Sequence, residues 1–194
     1  MRIVGGELRG RKLVGVPRHG VRPTSDPVRE ALFNLLGEQV RERPFVDLFA
    51  GTGAVACEAF SRGARPIELV ESDPRVIVTI ERNLGRLGIE IAPHAAVVHC
   101  AEVGAWLRER AAGSKPFGAP AVIFLDPPYT DRRLARWLTE LERSALWVPD
   151  ALVVVEHAAR VSGPLEPLKR VELVWSRRYG DSALTAGRVL GPES

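Results

Sequence analysis

The sequence is poor in cysteine and lysine and contains no long apolar run. Its 194 residues include two cysteines, too few for a disulfide framework. Neither these cysteines nor the four histidines show the spacing of metal ligands, so no metal is predicted. No stretch of about 18 apolar residues is present, and the first residues lack the apolar region of a signal peptide. These absences predict a soluble, cytoplasmic protein without a membrane span.

Charge is nearly balanced overall but is unevenly placed. The 27 basic residues include only three lysines, and the net charge is +3. Residues 1–25 carry six basic side chains and one acidic one, which leaves 21 basic and 23 acidic for the remaining residues. A content of 45% hydrophobic and 26% charged residues is typical of a globular protein. The distribution predicts a basic appendage on a nearly neutral body, and it permits a nucleic-acid partner.

The N-terminal residues are interpreted as a small basic hairpin. Short apolar pairs, Ile3-Val4 and Leu13-Val14, lie on either side of a basic segment rich in glycine, which predicts two short strands within residues 2–16. Asp26-Pro27 is typical of a helix N-cap followed by proline at the first helical position, and Gly37 is expected to end that helix. We therefore divide the chain into an arm, residues 1–24, and a main domain, residues 25–194.

From residue 45 onward, short apolar segments alternate with segments of helical periodicity. This alternation predicts an α/β protein whose parallel sheet is covered by helices on both faces. The last two apolar segments have no helix between them, so they predict an antiparallel hairpin and bring the sheet to seven strands. The predicted strands cover residues 45–50, 67–70, 95–98, 121–125, 151–156, 171–178 and 183–190. The predicted helices of this region cover residues 54–62, 74–87, 102–112 and 132–143.

A glycine loop, Asp47 to Gly53, follows the first parallel strand, where ligands of doubly wound sheets bind. Glu71 follows the second strand and could accept hydrogen bonds from ribose hydroxyls. Two cofactors fit this pattern, and a plain tight turn is the structural alternative. Gly51-x-Gly53-x-x-Ala56 satisfies the dinucleotide fingerprint of nicotinamide enzymes. The carboxylate of Asp47 would suit a cation instead, such as the amino group of S-adenosylmethionine (SAM).

The tetrapeptide Asp126-Pro127-Pro128-Tyr129 closes the fourth strand. Its two prolines fix the backbone and remove two N–H donors, so local carbonyls are left to accept from a ligand. Asp126 and the carbonyl of Pro127 could accept both N–H groups of an exocyclic amine, while Tyr129 stacks on the ring. The alternative is a turn that merely ends a strand. The four tryptophans of the chain are interpreted as packing residues.

Residues 126–129 resemble the Asp/Asn/Ser-Pro-Pro-aromatic motif of SAM-dependent methyltransferases that modify exocyclic amines of bases, and the glycine loop resembles their SAM loop. Two further segments are more specific: residues 1–11 and the run Arg22 to Asn34. Together with Tyr179-Gly180-Asp181, they resemble bacterial 16S ribosomal RNA guanine-N2 methyltransferases of the RsmD type. The resemblance extends over nearly the whole chain and implies a Rossmann-like SAM-dependent methyltransferase fold.

The resemblance also implies roles for individual residues. The tetrapeptide would hold and deprotonate the target amine, and the base would have to leave its stack to reach it. The residues implied in SAM binding are Asp47, Ala50, Gly51, Thr52, Gly53, Glu71, Ser72, Ala101, Glu102, Thr24 and Arg29. The residues expected to contact 16S rRNA phosphates, in an assembled or partly assembled small subunit, are Arg2, Arg9, Arg11, Lys12, Arg18 and Arg22. Glu102 stands where the family usually has Asp.

Other functions remain open at this point. A methyltransferase acting on adenine N6 of DNA or another RNA would use the same tetrapeptide, and only the N-terminal segments argue against it. A nicotinamide-dependent oxidoreductase is supported by the glycine pattern alone. A non-catalytic RNA-binding module would have no use for the tetrapeptide.

Overall fold

Seven strands form one mixed sheet in the computed structural model, which describes residues 1–15, 25–111, 120–128 and 133–191. The strands are β1 (Phe45–Leu48), β2 (Ile67–Glu71), β3 (Ala96–Cys100), β4 (Val122–Leu125), β5 (Leu152–Ala158), β6 (Val171–Tyr179) and β7 (Ser182–Val189). Their order across the sheet is β3-β2-β1-β4-β5-β7-β6. β1 to β5 are parallel, whereas β7 pairs antiparallel with both β5 and β6. This topology confirms the predicted fold class.

Helices cover both faces of the sheet. The described helices are α1 (Asp26–Leu36), α2 (Ala54–Ser61), α3 (Pro74–Leu87), α4 (Val103–Ala111) and α5 (Leu134–Glu142), with a 3-10 turn at Gly37–Val40. None of them is long and apolar enough to cross a membrane. One core layer lies between the sheet and α1, α2 and α3, and the other lies between the sheet and α4 and α5. Every residue of β1 and β4 is buried, as expected of central parallel strands.

Proline and glycine lie at the ends of α1 and α3, where their backbone preferences favour the start and the end of a helix. α3 begins at Pro74 after the Asp73 cap and ends before Gly88, whose φ of 72° is the left-handed conformation of a helix terminus. These bounds are the predicted ones. For α1 the predicted cap was one residue off, because the side chain of Ser25, not Asp26, accepts the N–H of Val28. Most predicted strands differ from the observed ones by one or two residues at their ends.

The N-terminal segment, residues 1–15, pairs with itself less than predicted. Its two halves meet in an isolated antiparallel bridge between Arg2 and Lys12 rather than in two strands. Ile3 is fully buried in the core layer under α1 and α2, so the segment is packed against the domain. The carboxylate of Glu58 on α2 accepts the N–H groups of Val4 and Gly5, each at 2.8 Å. Backbone groups that would extend a hairpin ladder bind the domain instead.

Candidate active site

The carboxyl ends of β1, β2, β3 and β4 lie along one edge of the sheet, because these strands are parallel neighbours. Each strand delivers one predicted site segment to this edge. The glycine loop follows β1, Glu71 ends β2, Glu102 follows β3 and Asp126 follows β4. The sheet therefore brings together residues that are far apart in sequence, at the place where α/β proteins bind ligands.

The glycine loop makes a sharp turn from β1 into α2. Phe49, Gly51 and Gly53 have φ values of 68°, 52° and 74°, and the N–H of Gly53 donates to the carbonyl of Ala50 at 2.8 Å. A Cβ at Gly53 would lie 3.0 Å from the side chain of Leu69, so both conformation and space require glycine there. A bulky residue in the left-handed region, as at Phe49, is strained, and such strain clusters at functional sites.

Asp47 lies beneath this loop with 1% of its surface exposed. One of its carboxylate oxygens accepts the N–H of Ala56 at 3.1 Å. Burial raises the pKa of Asp47 to about 8; the Ala56 hydrogen bond opposes this rise, and the nearby charge of Glu71 adds to it. In the absence of a bound cation, the carboxyl group of Asp47 is therefore protonated near neutral pH. A bound cation would favour the ionised form, so the chemistry of this position fits an ammonium group.

Glu71, at the end of β2, connects to the glycine loop through a hydrogen bond. One of its oxygens accepts the N–H of Gly51 at 3.0 Å, and the other accepts the N–H groups of Ser72 and Asp73 at 2.7 and 2.9 Å. The oxygen that binds Gly51 keeps its second acceptor position, so a hydroxyl group of a ligand could still bind there. The structure places Glu71 and Ser72 at the sheet edge, and ribose contact stays a prediction.

Glu102 joins α4 to α5 at the same edge. It accepts the N–H of Ala105 at 2.9 Å, as the cap of α4, and the indole N–H of Trp137 at 3.3 Å. Although partial burial acts in the opposite direction, hydrogen bonds from Ala105, Gly104 and Trp137 hold the pKa of Glu102 below its usual value. Glu102 is thus a fixed acceptor, as adenine recognition would require. Ala101 continues the β2–β3 pairing by donating to the carbonyl of Glu71 at 2.9 Å.

A small cleft of about 120 Å³ lies between these elements. Its walls include Phe49, Val70, Glu71, Glu102, Pro128 and Trp137. The rings of Phe49 and Trp137 are 4.5 Å apart and tilted by 58°. An apolar slot with two carboxylates at its rim suits one part of a nucleoside in chemistry, since a base has apolar faces and polar edges. Sequence reasoning missed Phe49, Val70 and Trp137; Phe49 lay within the quoted loop, but nothing in the sequence linked α5 to β2.

Asp126, Pro127 and Pro128 follow β4 directly, beside the glycine loop. β4 is paired with β1 up to Leu125 and Leu48, and the N–H of Asp126 donates to the carbonyl of Leu48 at 3.4 Å. Pro128 reaches the cleft. The first three residues of the tetrapeptide therefore stand one strand away from the loop that follows β1. Tyr129 lies outside the described residues.

Arg29 is buried between the N-terminal segment, α1 and α2. Its guanidinium is fully buried, donates to the carbonyl of Arg2 and to Asp26 at 3.0 Å, and lies 3.5 Å from Glu58. These partners belong to the N-terminal segment, α1 and α2, and none of them is a wall residue of the cleft. Arg29 thus ties three elements together, and its contact with the cofactor stays a prediction. Thr24 lies outside the described residues.

The basic side chains of the N-terminal segment are exposed. Arg2, Arg9, Arg11 and Lys12 all face solvent, and Arg11 also donates to the carbonyl of Arg86 at 3.3 Å. The other two predicted RNA contacts, Arg18 and Arg22, fall outside the described parts of the chain. Within those parts, no group of three side chains could hold a metal ion.

The sheet order and the placement of the glycine loop define an α/β protein of the SAM-dependent methyltransferase fold. A solved SAM-dependent methyltransferase from Agrobacterium tumefaciens shares this fold with a TM-score of 0.64 and 16% identity, over 87% of this chain and 63% of that one. A family model assigns the chain more specifically than the fold does. Residues 1–188 match the family described as conserved hypothetical protein 95, and the chain belongs to this family.

Relatives confirm the resemblance that the sequence motifs indicated. The ribosomal RNA small subunit methyltransferase D of Escherichia coli K12 is 35% identical over 168 residues, which are 86% of this chain and 79% of that protein. A solved hypothetical protein from Thermus thermophilus is 34% identical, with a TM-score of 0.79 over 97% of this chain and 99% of that one. The predicted class of enzyme, a methyltransferase, is confirmed. Family membership also favours SAM over a nicotinamide cofactor.

Proposed function

We propose that this protein transfers a methyl group from SAM to the exocyclic N2 amine of a guanine in 16S ribosomal RNA. The observation that carries the proposal is the position of Asp126-Pro127-Pro128, which directly follow β4 beside the glycine loop. Supporting it, the family includes relatives named ribosomal RNA small subunit methyltransferase D. We place its action in the cytoplasm, on an assembled or partly assembled small subunit.

The residues along the sheet edge fit the parts of SAM. Asp47 would hold the amino group of the methionine portion, Gly51 and Gly53 would let the backbone approach it, and Glu71 would accept from the ribose hydroxyls. Glu102, at the far side of the cleft, would accept from the adenine amine. When bound, SAM supplies a methyl group activated by its sulfonium charge.

The residues after β4 would orient the target amine. The lone pair of a guanine amine is delocalised into the ring, so the amine is a weak nucleophile. Acceptors at Asp126 and at the carbonyl of Pro127 would bind its two protons and favour a pyramidal nitrogen whose lone pair points away from them. Holding two reactants in line supplies much of the rate acceleration in such reactions. Asp126 would take the proton that the nitrogen loses on methylation, and Tyr129 would stack on the unstacked base.

The exposed N-terminal side chains would contact the RNA backbone. Arg2, Arg9, Arg11 and Lys12 are all exposed on residues 1–15, which pack against α1 and α2. Basic side chains that neutralise phosphates release counterions, so this part of the affinity should weaken with salt. Arg18 and Arg22 remain proposed contacts of the same kind.

The role of Asp126 is tested with labelled SAM and bacterial small ribosomal subunits. We expect Asp126→Ala to lose methyl transfer by about 100-fold or more, the contribution of one positioned acid–base group, while SAM binding by calorimetry stays within twofold. Glu109→Ala, an exposed change on α4, is the control and should leave both unchanged. Full methyl transfer by Asp126→Ala with normal SAM binding would refute the role. Methylation of adenine by the unaltered protein would support the adenine-N6 alternative instead.

A further inference from the structure

Asn83 is a buried polar residue of α3 that the mechanism above does not use. The other buried side chains of this helix, Val76, Ile80, Leu84 and Leu87, are all apolar. Asparagine is a weak helix former, and a buried amide group costs free energy unless its hydrogen bonds are made. Asn83 has none of its surface exposed, so its partners explain why an amide stands there.

The side-chain amide of Asn83 joins two segments that are far apart in sequence. Its oxygen accepts the N–H of Val14 at 2.7 Å, and its nitrogen donates to the carbonyl of Val14 at 3.1 Å. The same nitrogen donates to the carbonyl of Thr52, in the glycine loop, at 2.9 Å. An amide group has two N–H donors, so one serves the N-terminal segment and the other serves the loop.

The bond to Thr52 helps to fix the tip of the glycine loop. The carbonyl of Thr52 and the N–H of Gly53 belong to one planar peptide unit. Asn83 binds the carbonyl side of this unit, and the carbonyl of Ala50 accepts the N–H on the other side at 2.8 Å. Because both sides are held, the unit cannot rotate without losing a hydrogen bond, and the tip keeps the shape proposed to receive SAM.

The N-terminal segment reaches the same loop at both of its ends. Val14 does so through Asn83, and Met1 does so directly, since the hydroxyl of Thr52 donates to its sulfur at 3.8 Å. The N–H of Leu13 donates to the carbonyl of Met1 at 3.2 Å, which keeps the two ends together. The exposed basic side chains proposed to contact RNA lie between these ends. Docking of the segment and the shape of the loop therefore depend on shared hydrogen bonds.

We propose that Asn83 is a positioning residue that couples the docking of the N-terminal segment to SAM binding. This inference rests on the proposed function, in which SAM contacts the glycine loop. Opening of the segment removes the Val14 partner of Asn83, so the amide no longer holds Thr52 in place and the loop binds SAM less tightly. By thermodynamic linkage, SAM then opposes opening of the segment by the same factor. One net hydrogen bond between neutral groups corresponds to about two- to tenfold.

Amide hydrogen exchange of the unaltered protein measures this coupling without any substitution. The N–H of Val14 exchanges when the segment opens, so saturating SAM should slow its exchange about two- to tenfold. The amides of β6, an edge strand at the far side of the sheet from β1, β2 and β3, are the internal control. Their exchange should be the same with and without SAM.

Asn83→Asp tests the same link at the amide itself. The substitution keeps the size of the side chain and an oxygen for the N–H of Val14, but it removes the N–H groups donated to the carbonyls of Val14 and Thr52. By calorimetry, SAM should bind about two- to tenfold more weakly, and SAM should no longer slow the exchange of Val14. Gln39→Glu, an exposed amide-to-acid change outside both segments, should leave both measurements as in the unaltered protein.

The outcomes separate the inference from the proposed function. Exchange of Val14 that is unaffected by saturating SAM would overturn the inference. A lowered melting temperature with unchanged SAM affinity in Asn83→Asp would also overturn it, because Asn83 would then act only on stability. If Asn83→Asp did not fold, the exchange measurement on the unaltered protein would decide by itself. Absence of SAM binding by the unaltered protein would instead refute the proposed function.

Discussion

Replacing Asp47 by asparagine removes a buried carboxyl group whose pKa is raised to about 8. Asparagine keeps the size of the side chain and an oxygen that can accept the N–H of Ala56. The substitution therefore removes the titration while leaving the local packing in place. Two consequences follow, one for stability and one for cofactor binding.

The stability effect follows from proton linkage. The pKa of Asp47 in the folded protein, about 8, is higher than its ordinary value of 3.8, so the folded state holds a proton that the unfolded state has lost at intermediate pH. The Asp47 contribution therefore opposes folding by about 1.4 kcal/mol more for each pH unit between these values, and is constant above pH 8. Between pH 6 and pH 8, Asp47→Asn should gain about 3 kcal/mol of stability relative to the unaltered protein.

Asp47→Asn should weaken SAM binding, although it stabilises the fold. An ammonium group beside Asp47 favours the ionised carboxylate, so SAM binding below pH 8 should release about one proton. Affinity should then rise up to about tenfold per pH unit from pH 6 and level off near pH 8, where a free α-amino group itself loses its proton. Asp47→Asn should bind more weakly and without this proton release.

Calorimetry in two buffers of different ionisation enthalpy measures the released protons directly, and denaturant unfolding at pH 6 and pH 8 measures the stability. Asp181→Asn, an exposed change in the turn before β7, serves as the matched control and should behave as the unaltered protein. The reasoning is refuted if the unaltered protein binds SAM with no proton release and with the same affinity at pH 6 and pH 8.

Three other substitutions test neighbouring parts of the structure. Trp137→Phe removes the indole N–H that donates to the carboxylate of Glu102, the proposed acceptor of the adenine amine. SAM affinity by calorimetry should therefore fall about three- to tenfold, whereas Trp147→Phe should not change it. Glu58→Gln weakens a fully buried ion pair and the anchor of the N-terminal segment; stability in urea should fall by about 3 kcal/mol or more, and a smaller loss than about 1 kcal/mol would contradict the buried network. Arg9→Ala with Arg11→Ala should lower the slope of log RNA affinity against log salt by about 2 while SAM binding is unchanged; an unaltered slope would exclude these two side chains as phosphate contacts.

Local sequence signals predicted the elements that begin and end on proline or glycine. Pro74 and Gly88 determine the bounds of α3 by their own backbone preferences, and the same holds for Gly37 at the end of α1. The run from Val122 to Leu125 could be recognised as a buried strand because every side chain is apolar. The positions of Asp126 and the glycine loop at one edge then followed from the rule that parallel strands end together.

Long-range contacts could not be predicted in this way. Arg29 lies in a segment characteristic of the family, yet its burial depends on Glu58 and on the carbonyl of Arg2, 27 residues earlier. Trp137 packs as expected, but its bond to Glu102 joins positions 35 residues apart. The neighbours of β4 are likewise visible only in the strand register, in which Leu125 pairs with Leu48 of β1 and with Val155 of β5.

Product mapping tests the central claim most directly. Small ribosomal subunits lacking the modification are incubated with the protein and labelled SAM, and the 16S rRNA is digested and its nucleosides separated by mass spectrometry. The account predicts label in N2-methylguanosine, formed about 100-fold or more slowly when Asp126→Ala replaces the unaltered protein. Label in N6-methyladenosine, or equal labelling of guanosine by the Asp126→Ala protein, would contradict it.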